Sequence, residues 1–122
     1  MLHSVSWASR LPLVVLCGLM SFNLAAKADT VSLMELVQAQ CLSCHQIDRK
    51  RVGPPFKEIA QRYAAGPAKE TQAYLQRQIQ QGSRGNWGAI PMPAQNRISA
   101  EQAQAIAAWL LSLANSSTTE IS

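Results

Sequence analysis

Cys41-Leu42-Ser43-Cys44-His45 is the stretch from which the rest of the chain is read. Two thiols three positions apart, with a histidine directly after the second, form the pattern of c-type haem attachment. Each thiol adds across one vinyl group of the macrocycle, and the next side chain then has to face the iron. On a helix, positions 41, 44 and 45 are related as i, i+3 and i+4 and share one face. Three other readings compete. A structural zinc site needs four ligands, and the only further thiol and imidazole are Cys17 and His3, both in a stretch read as a removed leader. A thioredoxin-like pair belongs in a βαβ pattern, and no strand-like alternation flanks residues 41–45. A buried pair of structural cysteines is the third. Haem attachment is favoured over all of them.

Upstream, residues 1–28 read as a cleaved secretory signal peptide. Arg10 is the only formal positive charge before a largely apolar run over residues 11–20, and Ala26-Lys27-Ala28 offers the small-x-small pattern of signal peptidase cleavage. The run falls short of the ~20 predominantly apolar residues of a membrane span, so no stable membrane insertion is expected. An uncleaved anchor is the competing reading. Cys17 follows Leu16 rather than the small residue of a lipid-attachment signal, and is read as discarded. Export would place the mature chain in the periplasm.

Of the 122 residues, 94 follow Ala28, enough for one domain near the small end of what folds alone. The expected organisation is a single domain over 29–115 and a polar tail over 116–122. Both remaining cysteines belong to the motif, so no disulfide is available as a staple. Burying ~400 Å² of apolar macrocycle would contribute on the order of 10 kcal/mol gross, against a typical net stability of about 5–15 kcal/mol. The prosthetic group is therefore expected inside the core. Arg10 and Lys27 leave with the leader, so 9 of the 11 basic residues face 7 acidic ones, a balance of +2. Two haem propionates bring this close to neutral. No long basic stripe or aromatic-rich basic groove supports nucleic-acid binding.

Along the mature chain, Ser32-Leu-Met-Glu35 fits a capping box, with Val31 and Leu36 as the accompanying hydrophobic staple. Leu33, Leu36, Val37 and Gln40 then form an amphipathic stripe leading into Cys41. Residues 47–55 turn, because Pro54 and Pro55 oppose a continuing helix. A stiff loop here could hold a backbone carbonyl against the free Nδ1–H of a ligating imidazole. The basic triplet Arg49-Lys50-Arg51 reads as a solvated turn, or as steering towards an acidic partner. Phe56, Ile59, Ala60 and Tyr63 mark a short helix ended by Gly66-Pro67, and a further helix spans about Lys69 to Gln81 before Gly82. Ser99-Ala-Glu-Gln102 opens another, with Ile106, Trp109, Leu110 and Leu113 on its apolar face.

Between these last two helices lies a glycine-rich loop, residues 82–88, running into Ile90-Pro-Met-Pro93. Pro91 and Pro93 limit backbone freedom on both sides of Met92, which reduces the entropy lost when a weak thioether ligand binds. Met1 and Met20 fall in the leader, and Met34 is too near His45 to reach the opposite haem face. Met92 is the remaining candidate for the sixth ligand; the alternative is a core gap-filler.

From about Glu35 to Leu113 the chain resembles the class I c-type cytochromes, specifically the small bacterial cytochrome c-551 group. The likeness rests on Cys41-Leu-Ser-Cys-His45, Val52-Gly-Pro54, Gly82-Ser-Arg-Gly-Asn-Trp-Gly88, Ile90-Pro-Met-Pro93 and Ala108-Trp-Leu-Leu111. It implies an all-α fold of about four to five helices wrapped around one haem c, with Cys41 and Cys44 as covalent attachments and His45 and Met92 axial. It also implies that Pro54 supplies the carbonyl to the His45 ring and that the Trp87 indole N–H reaches a propionate. Two departures stand out. Where some relatives carry a propionate-binding arginine, this chain has Gln78, with Arg77 beside it and about 100° away around the helix. The amide that tunes the methionine sulfur falls to Gln95 or its neighbour Asn96.

Iron with both axial positions filled by side chains has no open site for substrate. The expected function is therefore not enzymatic. It is that of a soluble, monomeric periplasmic one-electron carrier with low-spin haem, serving redox proteins such as a reductase, an oxidase or a bc1-type donor. The rivals are a haem peroxidase or ligand sensor with a displaceable Met92, and a haem subunit of a larger oxidoreductase.

Overall fold

The computed structural model describes residues 31–118, with the side chains of 117 and 118 excepted. The predicted leader at 1–28, with His3 and Cys17, lies outside the described residues, as do the last four positions of the predicted tail. Four α-helices carry the fold: α1 Leu33–Gln40, α2 Phe56–Tyr63, α3 Ala68–Gln81 and α4 Ala100–Ser112. One 3-10 turn over Asn115–Thr118 follows, so the start of the polar tail continues the helical path. Among the described residues there is no strand, only an isolated antiparallel bridge between Ser83 and Met92.

Helix α1 starts where the capping box predicts. The Glu35 N–H donates to Ser32 Oγ at 3.2 Å, and the Ser32 N–H donates to Glu35 Oε2 at 2.8 Å. Of the two residues of the expected staple, Val31 is 54% exposed and Leu36 is buried in the core. Helix α4 has the same reciprocal box from Ser99 and Gln102. Helix α2 has no side-chain cap. Its first two N–H groups are taken up by the loop after His45, Phe56 N–H by the Gln46 carbonyl at 2.9 Å and Lys57 N–H by that of Ile47 at 3.1 Å. The need to satisfy those orphan donors thus ties the start of α2 to the attachment motif.

Helix α4 is the central element, packed against α3 most extensively and also against α2 and α1. It buries Ala103, Ile106, Ala107 and Leu110, the i, i+3, i+4, i+7 face of an amphipathic helix. The two alanines let neighbouring backbones approach, and Ile106 fills the space between them. Against this face lie Leu36 and Val37 of α1, Phe56 and Ile59 of α2, Leu75 and Ile79 of α3, and Ile98 from the preceding loop. Each large aliphatic side chain so buried contributes about 1.5–3 kcal/mol. Trp109 is half-buried, with its ring set edge-on to Phe56 at 5.4 Å. Met34 is exposed on α1.

Candidate haem site

Helix α1 ends at Gln40, so the attachment motif is not helical as its spacing suggested; Cys41 is the C-cap and residues 41–44 form a turn. The chain nevertheless keeps the helical bond where it matters. His45 N–H donates to the Cys41 carbonyl at 2.9 Å, and Cys44 N–H to the same oxygen at 3.1 Å. Three backbone positions are thereby fixed around one carbonyl, and Cys41, Cys44 and His45 all line one cleft. Burial pushes the Cys41 thiol above its ordinary pKa.

The imidazole is held from three directions. Nδ1 lies 2.8 Å from the Pro54 carbonyl, and a carbonyl only accepts, so Nδ1 carries the proton and Nε2 keeps a free lone pair. The Phe56 ring stacks on it at 5.1 Å with planes 19° apart. Gly53 closes over the ring as well: a Cβ there would lie 2.5 Å from Cε1 and 2.8 Å from Nδ1. Gly53 is itself fixed by its N–H donating to the Cys44 carbonyl at 2.8 Å. The ring is 8% exposed.

The methionine arrives from a different construction. Ser83 and Met92 exchange two backbone hydrogen bonds, of 3.0 and 2.9 Å, which close the loop between them. Gly82 makes the entry: its φ of 77° with ψ of 176° is a region essentially restricted to glycine. A Cβ there would lie 2.5 Å from the Met92 carbonyl oxygen. Gln95 ties the far side, its N–H donating to the Ile79 carbonyl at 3.0 Å and its amide Nε2 to the Pro93 carbonyl at 2.9 Å. One amide hydrogen of Gln95 is thus spent on the backbone beside Met92. Asn96 is exposed and does not line the cleft.

A polar cluster bounds the same cleft. Asn86 Nδ2 donates to Tyr74 Oη at 3.1 Å and to Gln78 Oε1 at 3.3 Å. Tyr63 and Tyr74 face each other at 5.4 Å, and burial, then Tyr74, push Tyr63 above its ordinary pKa. Trp87 is half-buried, with the Arg62 guanidinium 4.3 Å above its ring. Arg77 is exposed and stands apart from the cleft, so it does not take the place of the residue at 78.

The structure brings all seven sequence-predicted residues, Cys41, Cys44, His45, Pro54, Trp87, Met92 and Gln95, into the wall of one cleft of about 1040 Å³ continuous with solvent. Most of the remaining wall is aliphatic or aromatic, including Ile59, Leu75, Ile79, Ile106 and Leu110. Two thiols beside a free imidazole nitrogen, with an apolar floor, are the donor set and surface that a covalently held haem requires. Four contributions were not read from the sequence: the Phe56 stack, the Gly53 cover, the Asn86 bonds and the Arg62–Trp87 stack. Only the glycine before Pro54-Pro55 left a signal, a flexible residue placed directly against two rigid ones.

Comparison with known proteins defines the class. The family model described as Cytochrome c matches residues 34–114, and the chain belongs to the cytochrome c family. Within it the chain is a class I c-type cytochrome of the c-551 group, an electron carrier rather than an enzyme, with one covalently bound haem c. It is 42% identical over 80 residues to cytochrome c-551 of Pseudomonas denitrificans, covering 65% of this chain and 94% of that one. To cytochrome c-552 of Hydrogenobacter thermophilus it is 41% identical over 76 residues, 62% of this chain and 74% of the relative. The crystal structure of wild-type Nitrosomonas europaea cytochrome c552 superposes with a TM-score of 0.62 at 41% identity, covering 66% of this chain and 98% of that one. These neighbours agree with the small all-α fold.

Proposed function

We propose that the protein is a periplasmic one-electron carrier whose low-spin iron is held between His45 Nε2 and the Met92 sulfur. The observation that carries this reading is the Pro54 carbonyl bonded to Nδ1 at 2.8 Å, which leaves the other ring nitrogen as a donor in a cleft that Met92 also lines. The haem supplies a one-electron Fe(III)/Fe(II) couple, and thioether ligation with imidazole favours a raised potential. The residues around it hold the ligands in place. Pro54, Gly53 and Phe56 fix the imidazole plane. Pro91, Pro93 and the Ser83 bridge restrict Met92, and the aliphatic floor keeps water from the iron. Little movement is then needed between redox states.

No helix among the described residues is long and apolar enough to cross a membrane. The predicted leader supports export to the periplasm, with the mature domain acting as a soluble monomer. Exposed Val52 and Ile90 lie on the cleft rim, where brief contact with a reductase, an oxidase or a bc1-type donor would use an interface at the small end of the size range.

The test is the absorbance spectrum of the oxidised protein with its haem, followed by Met92→Ala. A far-red sulfur-to-iron charge-transfer band is expected in the parent. The variant should keep its haem, lose the band, fall markedly in potential and gain peroxidase activity. A parent that is high-spin at neutral pH would instead favour the peroxidase or sensor reading. An unchanged potential in Met92→Ala would exclude Met92 as the ligand.

A further inference from the structure

The wall of the cleft, among the described residues, contains no lysine, arginine, aspartate or glutamate. A haem brings two carboxylates to it, and an anion removed from water without a counter-charge is costly. The macrocycle therefore needs its acidic edge where polar groups gather. Here they gather in one cluster: Asn86 joins Tyr74 and Gln78, Tyr63 faces Tyr74, and Trp87 follows Asn86 directly. Every member of that cluster is neutral.

One cation is fixed to it from outside. Arg62, on the last turn of α2, lays its guanidinium over the Trp87 ring at 4.3 Å and donates from Nη1 to the Asn86 carbonyl at 2.8 Å. It thus grips two consecutive wall residues, one by its plane and one by its edge. Both contacts suit a planar, permanently charged fork, whose five N–H donors leave four after the Asn86 bond. Arg51 donates from Nη1 to the Leu42 carbonyl in the attachment turn, outside the polar cluster. Arg77 is exposed on α3, away from the cleft.

Building on the haem reading above, we infer that Arg62 is the positioning residue that places a positive charge behind the haem carboxylates, through Trp87 and Asn86, in a cleft that has none of its own. Its charge favours the electron-rich iron and so raises the potential. Its stack holds the indole, and its bond holds the loop that leads to Met92.

The experiment compares Arg62→Gln, Arg62→Met and Arg62→Lys in the haem-loaded protein, by midpoint potential at low and high salt and by the far-red band. Loss of the charge in the Gln and Met variants should favour the oxidised form two- to fivefold, about 20–40 mV at 59 mV per tenfold change. The shift should shrink at 1 M salt, where the screening length is about 3 Å. Arg62→Lys keeps the charge without the planar stack and should stay within twofold of the parent. If neither neutral variant accumulates with haem while Arg62→Lys does, the need for charge is supported at the loading step. The inference is overturned if the neutral variants match the parent at low salt, or if Arg62→Lys shifts or fails as they do. A parent chain that carries no haem is a separate result, and it would remove the underlying reading instead.

Discussion

The segment that carries His45 is cross-braced by backbone bonds on either side of an exposed turn at residues 48–52, whereas the segment that carries Met92 is tied by backbone bonds at its ends and by side chains in the middle. From Cys41 to Lys57, backbone bonds link Cys41 to Cys44 and His45, Cys44 to Gly53, Gln46 to Phe56 and Ile47 to Lys57. The imidazole at the centre has a carbonyl on one nitrogen, a ring stacked on it and a glycine against it. From Gly82 to Gln95 there are the paired bonds of Ser83 and Met92, the Gln95 bonds to Ile79 and Pro93, the Asn86 amide on Tyr74 and Gln78, and Arg62 holding Asn86 and Trp87. Between those anchors Arg84, Gly85, Gly88, Ala89, Ile90 and Pro91 are exposed. Segments with few buried contacts open at lower free energy than the elements they join. The two faces of the cleft therefore differ in the ease with which they yield, with the sulfur side opening first.

The largest effect is expected at Gly82. Alanine there meets a forbidden backbone region and a carbonyl oxygen 2.5 Å from its Cβ. The conformation alone costs of order 1–3 kcal/mol, and the collision adds a similar amount. Because Met92 itself supplies that carbonyl, Gly82→Ala should weaken the Ser83–Met92 bridge and lower the temperature at which the far-red band is lost, while the His45 side keeps its haem. Thermal unfolding followed at the far-red band and by far-UV circular dichroism would show the first signal lost well before the second. Coincident loss of both would mean that the two sides open as one unit.

Gly53→Ala is the matching change on the other face, and the smaller one. The backbone there is not in the left-handed region, so the cost comes only from crowding the imidazole, on the order of 1–3 kcal/mol. The ring is trapped between Phe56 and the Pro54 bond, so it has little room to tilt. The expected result is a less stable holoprotein with the Met92 band retained, the inverse of the Gly82 pattern. Loss of the band without loss of stability would contradict the account of a rigid His45 side.

What was legible in the sequence was what neighbours in sequence decide. Both capping boxes are four-residue patterns, and α1 and α4 begin where those patterns place them. The spacing 56, 59, 60, 63 located α2, and the attachment motif named its own cofactor. Residues acting across the fold left no such trace. Arg62 reads as one more charged position on an amphipathic helix, and only the return of the loop 24 residues later turns it into a clamp on Asn86. Phe56 was visible as a core residue, yet its stack on His45 depends on the loop between them folding back. The spacing of Cys41, Cys44 and His45 suggested a helical face, whereas the helix stops at Gln40 and a turn does the same work.

The smallest expected effect concerns acid, and it sharpens the contrast because the carboxylate involved lies on the helix that leads into His45. The Ser32 N–H donates to the Glu35 carboxylate and holds it below its ordinary pKa of 4.5. A carboxyl depressed on folding adds stability that is fully present above its unfolded pKa and is lost as the pH falls through its folded one. Glu35→Gln keeps an acceptor for the same N–H, as Gln102 does on α4, and removes only the charge. The Tm difference between parent and Glu35→Gln should therefore be open at pH 7 and close as the pH drops below about 4.5, since a protonated glutamate resembles a glutamine. The far-red band should not follow that closure, because the Ser83 bridge and the Gln95 bonds involve no carboxylate. A gap that stays constant between pH 7 and pH 3 would show that the charge on Glu35 contributes nothing to the start of α1.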